Sequence, residues 1–108
     1  MRGDYLGEFE ELVLLAIRRS AGHAYGMHVR RELAERTGRD VSIGAVYTTV
    51  DRLLDKGFVR SVDVEPHPDR DGRARRFFEL TSAGVAALAA ADRMRAQLRA
   101  PLKPKRAR

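Results

Sequence analysis

A chain of 108 residues, 44% of them hydrophobic, is long enough for one domain with a modest core and too apolar to stay unfolded. Its formal net charge of +6 invites a polyanionic partner, although Lys103, Lys105, Arg106 and Arg108 alone supply four of those six charges. With no cysteine, disulfides, thiol redox chemistry and cysteine–metal sites are excluded; no apolar run approaches the roughly 18 residues of a membrane helix, and the acidic N-terminus does not read as a signal peptide, so a cytoplasmic protein is expected.

After a short arm over residues 1–6, Leu6, Phe9, Leu12, Val13, Ala16 and Ile17 predict a helix from Gly7 to Ser20. Leu14 and Leu15 widen its stripe, so burial on most sides is expected. Glu8, Glu10 and Glu11 near its start and Arg18 and Arg19 near its end suit the helix dipole, and Gly22 ends it. A second helix runs from Tyr25 or Gly26 to Thr37, with Val29, Leu33 and Ala34 inward and Arg30, Arg31, Glu32, Glu35 and Arg36 outward. Gly38 is its stop.

The stretch from Ser42 to Gly57 reads as a third amphipathic helix. Ile43, Val46, Tyr47, Val50, Leu53 and Leu54 form its apolar stripe. Ser42 is a suitable N-cap and Gly57 a suitable left-handed stop. The opposite face carries Gly44, Ala45, Thr48, Thr49, Asp51, Arg52, Asp55 and Lys56. Together with the second helix it fits a helix-turn-helix pair.

Beyond Gly57 the periodicity changes. Phe58 to Val64 is rich in β-branched residues and reads as a strand. Glu65 to Gly72 contains two prolines and an Asp-Gly step, which is turn chemistry. Arg73 to Thr81 is a second strand, with Phe78 and Leu80 on one face and Phe77 and Glu79 on the other. A last, alanine-rich helix begins at Thr81 or Ser82 and stops at Pro101. Val85, Leu88, Ala91, Met94 or Arg95, and Leu98 give it a thin apolar stripe, too little to dock on a core throughout. Its alanines also suit close packing against a second copy. The tail from Leu102 to Arg108 is expected to be disordered.

Three helices, a β-hairpin and a final helix make a mainly α winged helix-turn-helix. Residues 1–81 form the winged domain, 82–100 a C-terminal dimerisation helix and 101–108 a basic tail. In this arrangement the third helix enters the major groove of double-stranded DNA. Ser42, Gly44, Ala45, Thr48 and Thr49 are its candidate base readers, because small hydroxyl and methyl groups suit base edges and thymine methyls. Arg52, one turn later, suits a phosphate or a guanine. Tyr47, at the margin of the stripe, is either a core aromatic or a hydroxyl that emerges to bond a phosphate. The Tyr25 hydroxyl, the Gly26 N–H and the start of the second helix together suit a phosphate oxygen. On the hairpin, Arg70, Arg73, Arg75 and Arg76 lie on or beside the tip, where arginines meet phosphates or a narrow minor groove. A solvated charged loop is the plainer reading of those arginines taken alone.

The segments Leu6-Gly7-Glu8-Phe9-Glu10, Ala24-Tyr25-Gly26, Gly44 to Leu53 with Lys56-Gly57, and Arg75 to Gly84 together resemble the PadR family of bacterial transcriptional regulators. The resemblance covers residues 6–90 or so. It implies a winged-helix repressor that dimerises through its final helix with the first and binds a two-fold symmetric operator. It further implies action on a nearby gene and release of DNA by a small-molecule effector. One helix and a tail are all that is expected after Gly84, as in the short subfamily, and the chain has no Trp. Because one recognition helix buries little DNA surface, a homodimer is also expected on physical grounds, with Leu88, Ala91, Met94 and Leu98 at its interface. A winged helix used only for protein contact is the alternative. An enzyme is not expected: His23 and His28 are five positions apart, His67 stands among prolines, and no phosphate loop or nucleophile motif is present. No cofactor is implied.

Overall fold

Three apolar helical stripes and one face of a hairpin converge on a single core. The computed structural model describes residues 5–64 and 75–102. Within them lie α1 (Glu8–Arg19), α2 (Gly26–Thr37), α3 (Ile43–Asp55), β1 (Val59–Val64), β2 (Arg75–Leu80) and α4 (Ser82–Arg99). Val13, Leu14 and Ile17 of α1 meet Val29 and Leu33 of α2, Val46, Val50 and Leu53 of α3, Phe58 and Phe78 of the hairpin and Leu88 of α4. Each such side chain, fully buried, contributes about 1.5–3 kcal/mol. The basic tail from Lys103 onward lies outside the described residues.

Local chemistry sets the ends of these elements. Ser42 accepts the Ala45 N–H at 3.0 Å and caps α3, an interaction worth about 1 kcal/mol. Gly38 and Gly57 take φ of 73° and 77° after α2 and α3, the left-handed turn that glycine enters without strain. Of the two candidate caps for α4, Thr81 is the one used, its hydroxyl accepting the Gly84 N–H at 3.1 Å.

The strands pair antiparallel from Val59 opposite Leu80 to Val64 opposite Arg75. The segment before α2 adds a contact that no sequence pattern announces. The Phe78 N–H donates to the Ala24 carbonyl at 3.1 Å, and Tyr25 bridges Phe77. The Tyr25 ring meets Phe77 edge-on, centroids 5.8 Å apart. The hairpin is thereby fastened beside the start of α2.

Two inward assignments need correction. Ala34 is exposed. It stands about 100° round the helix from Leu33, and the buried face of α2 is the narrower Gly26, Val29 and Leu33. Val85 is exposed as well. The buried line of α4 is Gly84, Leu88 and Ala91, rotated by one residue because Gly84 must face the Phe58 carbonyl. The first half of α4 therefore belongs to the winged-helix core. The same Phe58 carbonyl accepts the Thr81 N–H at 3.0 Å, and the Thr81 hydroxyl donates to the Gly57 carbonyl at 2.6 Å.

Glu10 and Glu11 do more than suit a dipole. They are only 8% and 7% exposed. Lys56, at the end of α3, donates to both Glu10 oxygens at 2.7 and 2.9 Å and to the Tyr5 carbonyl at 2.8 Å. Glu10 also accepts the Gly7 N–H at 2.7 Å. Glu11 accepts a hydrogen bond from Arg95 of α4. The turn between α2 and α3 is clamped in a similar way. Arg30 donates to the Val41 carbonyl at 2.7 Å, and Arg39 pairs with Glu8 at 2.7 Å while lying over the Phe9 ring.

Two outcomes follow from these contacts. A methyl at position 84 would lie 2.1 Å from the Phe58 oxygen, a backbone atom. Gly84→Ala should therefore lower the unfolding free energy in urea by about 1–3 kcal/mol or more. At Glu10, burial pushes the carboxyl up, but the Lys56 hydrogen bond, the Gly7 N–H and the charges of Lys56 and Arg52 outweigh it and hold the group below its ordinary 4.5. A depressed folded-state value means that the pair's stabilisation is complete above 4.5 and is lost as pH falls through the folded value. Thermal midpoints should drop with acidification below that point. Glu10→Gln should melt lower at neutral pH and show a shallower acid loss.

Candidate nucleic-acid interface

The exposed side of α3 follows from its buried side. Val46, Thr49, Val50 and Leu53 occupy i, i+3, i+4 and i+7 and face the core. Gly44, Ala45, Thr48, Asp51, Arg52 and Asp55 are left outside. Thr49 is the correction here, for it is 4% exposed and cannot read a base. Its hydroxyl suggests the polar face, but its angular position, three residues after Val46 and four before Leu53, puts it on the core stripe. Ser42, Gly44, Ala45 and Thr48 are exposed as expected. Ser42 uses one lone pair on its cap, leaving its O–H able to donate.

Tyr47 leaves the core. It is 45% exposed, and its ring lies over the start of α2. A Cβ built on Gly26 would fall 2.5 Å from both the Tyr47 hydroxyl and the ring carbon that bears it. Only glycine at position 26 admits the tyrosine there. No side chain caps α2, so its first-turn N–H groups retain their positive end beside that hydroxyl. Such an arrangement suits a phosphate oxygen. Tyr25 precedes it and carries the contact to Phe77. Tyr47 thus covers the buried Gly26 and joins the outer face of α3 to the start of α2, where Tyr25 meets β2. Met27, which no periodicity singles out, is exposed on the first turn of α2.

The charged residues are distributed differently. Arg52 is exposed and has no ion pair among the described residues. Arg76 lies 3.5 Å from Asp63 across the hairpin, and Arg60 lies 2.9 Å from Glu79. Exposed pairs of this kind contribute little, so Arg76 can exchange its partner for a phosphate at small cost. Arg70, Arg73 and the Arg75 side chain lie outside the described residues.

A second surface lies along α4. Leu88 is 2% exposed and Ala91 is also buried, both within this chain. They are thus corrected from an interface between copies to the core, because they continue the line begun at Gly84. Met94 and Leu98 do remain outside, Leu98 at 88% exposure, with Tyr5, Val85 and Leu102 also exposed. A groove of about 210 Å³ separates the outer half of α4 from the arm and α1. Among the described residues no cluster of His, Asp or Glu could hold a metal ion, and no helix is long and apolar enough to cross a membrane.

Placement of the two threonines is open to direct measurement. Thr48→Ala should leave urea stability within about 0.5 kcal/mol and change the preferred DNA sequence. Thr49→Ala should lower stability by about 1 kcal/mol and leave the selected sequence unchanged. The reverse pattern in a bound-DNA selection would refute the assignment of faces.

The profile of the transcriptional regulator PadR-like family matches residues 13–90. Among solved structures, the hsRosR-S4 complex is similar with a TM-score of 0.70 at 26% identity, over 90% of this chain and 77% of that one. The hsRosR-SG complex gives 0.68 at 26%, over 89% and 79%. A PadR family transcription regulator from hypervirulent Clostridium difficile gives 0.68 at 18%, over 85% and 90%, a likeness of fold. No curated protein matches.

Proposed function

This chain belongs to the PadR-like family of transcriptional regulators, and on that premise we propose that it is a homodimeric repressor that binds a two-fold symmetric DNA operator near its own gene. It is a winged-helix transcriptional regulator and not an enzyme. The observation that supports the finer reading is the exposed outer face of α3 with Tyr47 seated over the start of α2 at its margin. That face is small and uncharged at Ser42, Gly44, Ala45 and Thr48, and Tyr47 and the uncapped α2 N-terminus suit phosphate. Hydroxyls and methyls at base edges supply discrimination. Phosphate contacts from α2, Arg52 and the wing arginines Arg70, Arg73, Arg75 and Arg76 supply most of the affinity and make it salt-dependent.

The dimer reading rests on the outer half of α4. Met94 and Leu98 stand in water on a helix whose buried line ends at Ala91. A second copy that covers them would place two recognition helices about 34 Å apart, one turn of DNA. The groove between the arm and α4 adjoins that surface and is where a small-molecule effector would act on the dimer.

A fluorescence anisotropy titration with DNA from upstream of the chain's own gene tests the proposal. Binding at physiological salt should be at least about 10³-fold tighter than to random DNA. Arg52→Ala should weaken both and reduce the salt slope by about one. Equal affinity for operator and random DNA at every neighbouring promoter would overturn operator binding, and light scattering that returned a monomer at micromolar concentration would overturn the dimer.

A further inference from the structure

Glu10 and Glu11 are consecutive residues on one helix, so their side chains leave α1 about 100° apart. One reaches the end of the recognition helix through Lys56, and the other reaches the outer half of α4 through Arg95. A single turn of α1 therefore anchors both the helix that faces DNA and the helix along which a second copy would pack.

The Arg95 contact matters because little else holds α4 there. Its last buried residue is Ala91. A groove of about 210 Å³ runs beside the helix from Ala87 to Leu98, with Tyr5, Leu6 and Glu11 on its other side, where close packing against α1 would otherwise be. Arg95 crosses that gap, and the Glu11 side chain it meets is 9% exposed and fixed in place by its burial. Direction, more than attachment, is what such a contact supplies, since Gly84, Leu88 and Ala91 already attach the helix.

Resting on the dimer reading above, we propose that Glu11 and Arg95 are a positioning pair that sets the distance between the two recognition helices, and with it the half-site spacing the dimer accepts. From Ala91, its last buried residue, to Arg99, α4 extends about 12 Å, so a ten-degree tilt moves the far end by about 2 Å in each copy and the two ends by about 4 Å relative to one another. One base-pair step is about 3.4 Å. A small change in the direction of α4 is thus enough to favour an operator one base pair longer or shorter.

The test uses the full chain and a set of DNA duplexes carrying two copies of the half-site found by selection, with the separation varied one base pair at a time. Wild type is compared with Arg95→Gln, with Glu11→Gln/Arg95→Gln, which leaves no unpaired buried charge, and with Arg95→Lys. Light scattering and urea unfolding are recorded for each. The expected result is that the two Gln variants remain folded dimers and keep the half-site sequence. Their preference for the best spacing over its neighbours should fall at least about fivefold, and Arg95→Lys should restore most of it. Variants that unfold at lower urea yet keep the wild-type spacing preference would show a merely structural pair and overturn the inference. So would variants that fall apart into monomers, since the pair would then join copies instead of orienting them. A wild type that is monomeric, or indifferent to paired half-sites, would overturn the dimer reading itself and this inference with it.

Discussion

Two neighbouring carboxylates almost shut off from water constrain everything around them. A carboxylate removed from water needs donors within reach, and stranding it costs several kcal/mol. Glu10 finds Lys56, 46 positions away in sequence, and Glu11 finds Arg95, 84 positions away. Helix α1 therefore cannot shift against α3 or α4 without stranding one of them. Ion pairs of this type choose among geometries more than they add stability. The apolar core makes the chain fold, and the two pairs hold particular helices in particular directions.

The surface assigned to DNA is built on that frame with little charge of its own. α3 is held from behind by Val46, Thr49, Val50 and Leu53, at its start by the Ser42 cap and at its end by Lys56. The Arg30 and Arg39 contacts close the turn before it. What remains for a partner is a face of small groups flanked by a tyrosine and an uncapped helix end. Such a face demands close approach and depends on neighbouring elements for attraction, which is why the fastening of β2 to Tyr25 matters: it keeps the hairpin next to the reading helix.

Periodicity made most of this legible. The six elements, the glycine stops and the Ser42 cap of α3 can be read from spacing and local chemistry, and so can the winged arrangement, because each is decided within a few residues; the cap of α4 is narrowed only to Thr81 or Ser82. Angular errors arose where residue chemistry and helix phase disagree. Thr49 is polar by type and core by phase, and Val85 is the reverse. Ala34, small and apolar, fits either side. The long-range contacts were not legible at all. Nothing in a run of acidic residues at a helix start distinguishes Glu8, which stays exposed, from Glu10 and Glu11, whose partners lie far along the chain. The seating of Tyr47 on Gly26 was partly visible, since both residues were candidates, but their contact depends on how two helices cross. The burial of Leu88 and Ala91 follows from Gly84 meeting the Phe58 carbonyl, a contact between segments that sequence spacing does not relate.

The adjacent threonines of α3 carry a consequence for how such a regulator can change. Thr48 faces outward and Thr49 inward, so the border between address and chassis runs between two consecutive residues. Exposed positions away from special contacts tolerate exchange with stability effects near zero. On the proposed reading of α3, Gly44, Ala45 and Thr48 can therefore drift toward a new operator while the core stays intact. A duplicated copy of the gene would then acquire a different target through three substitutions on one helix face, each of small consequence for folding.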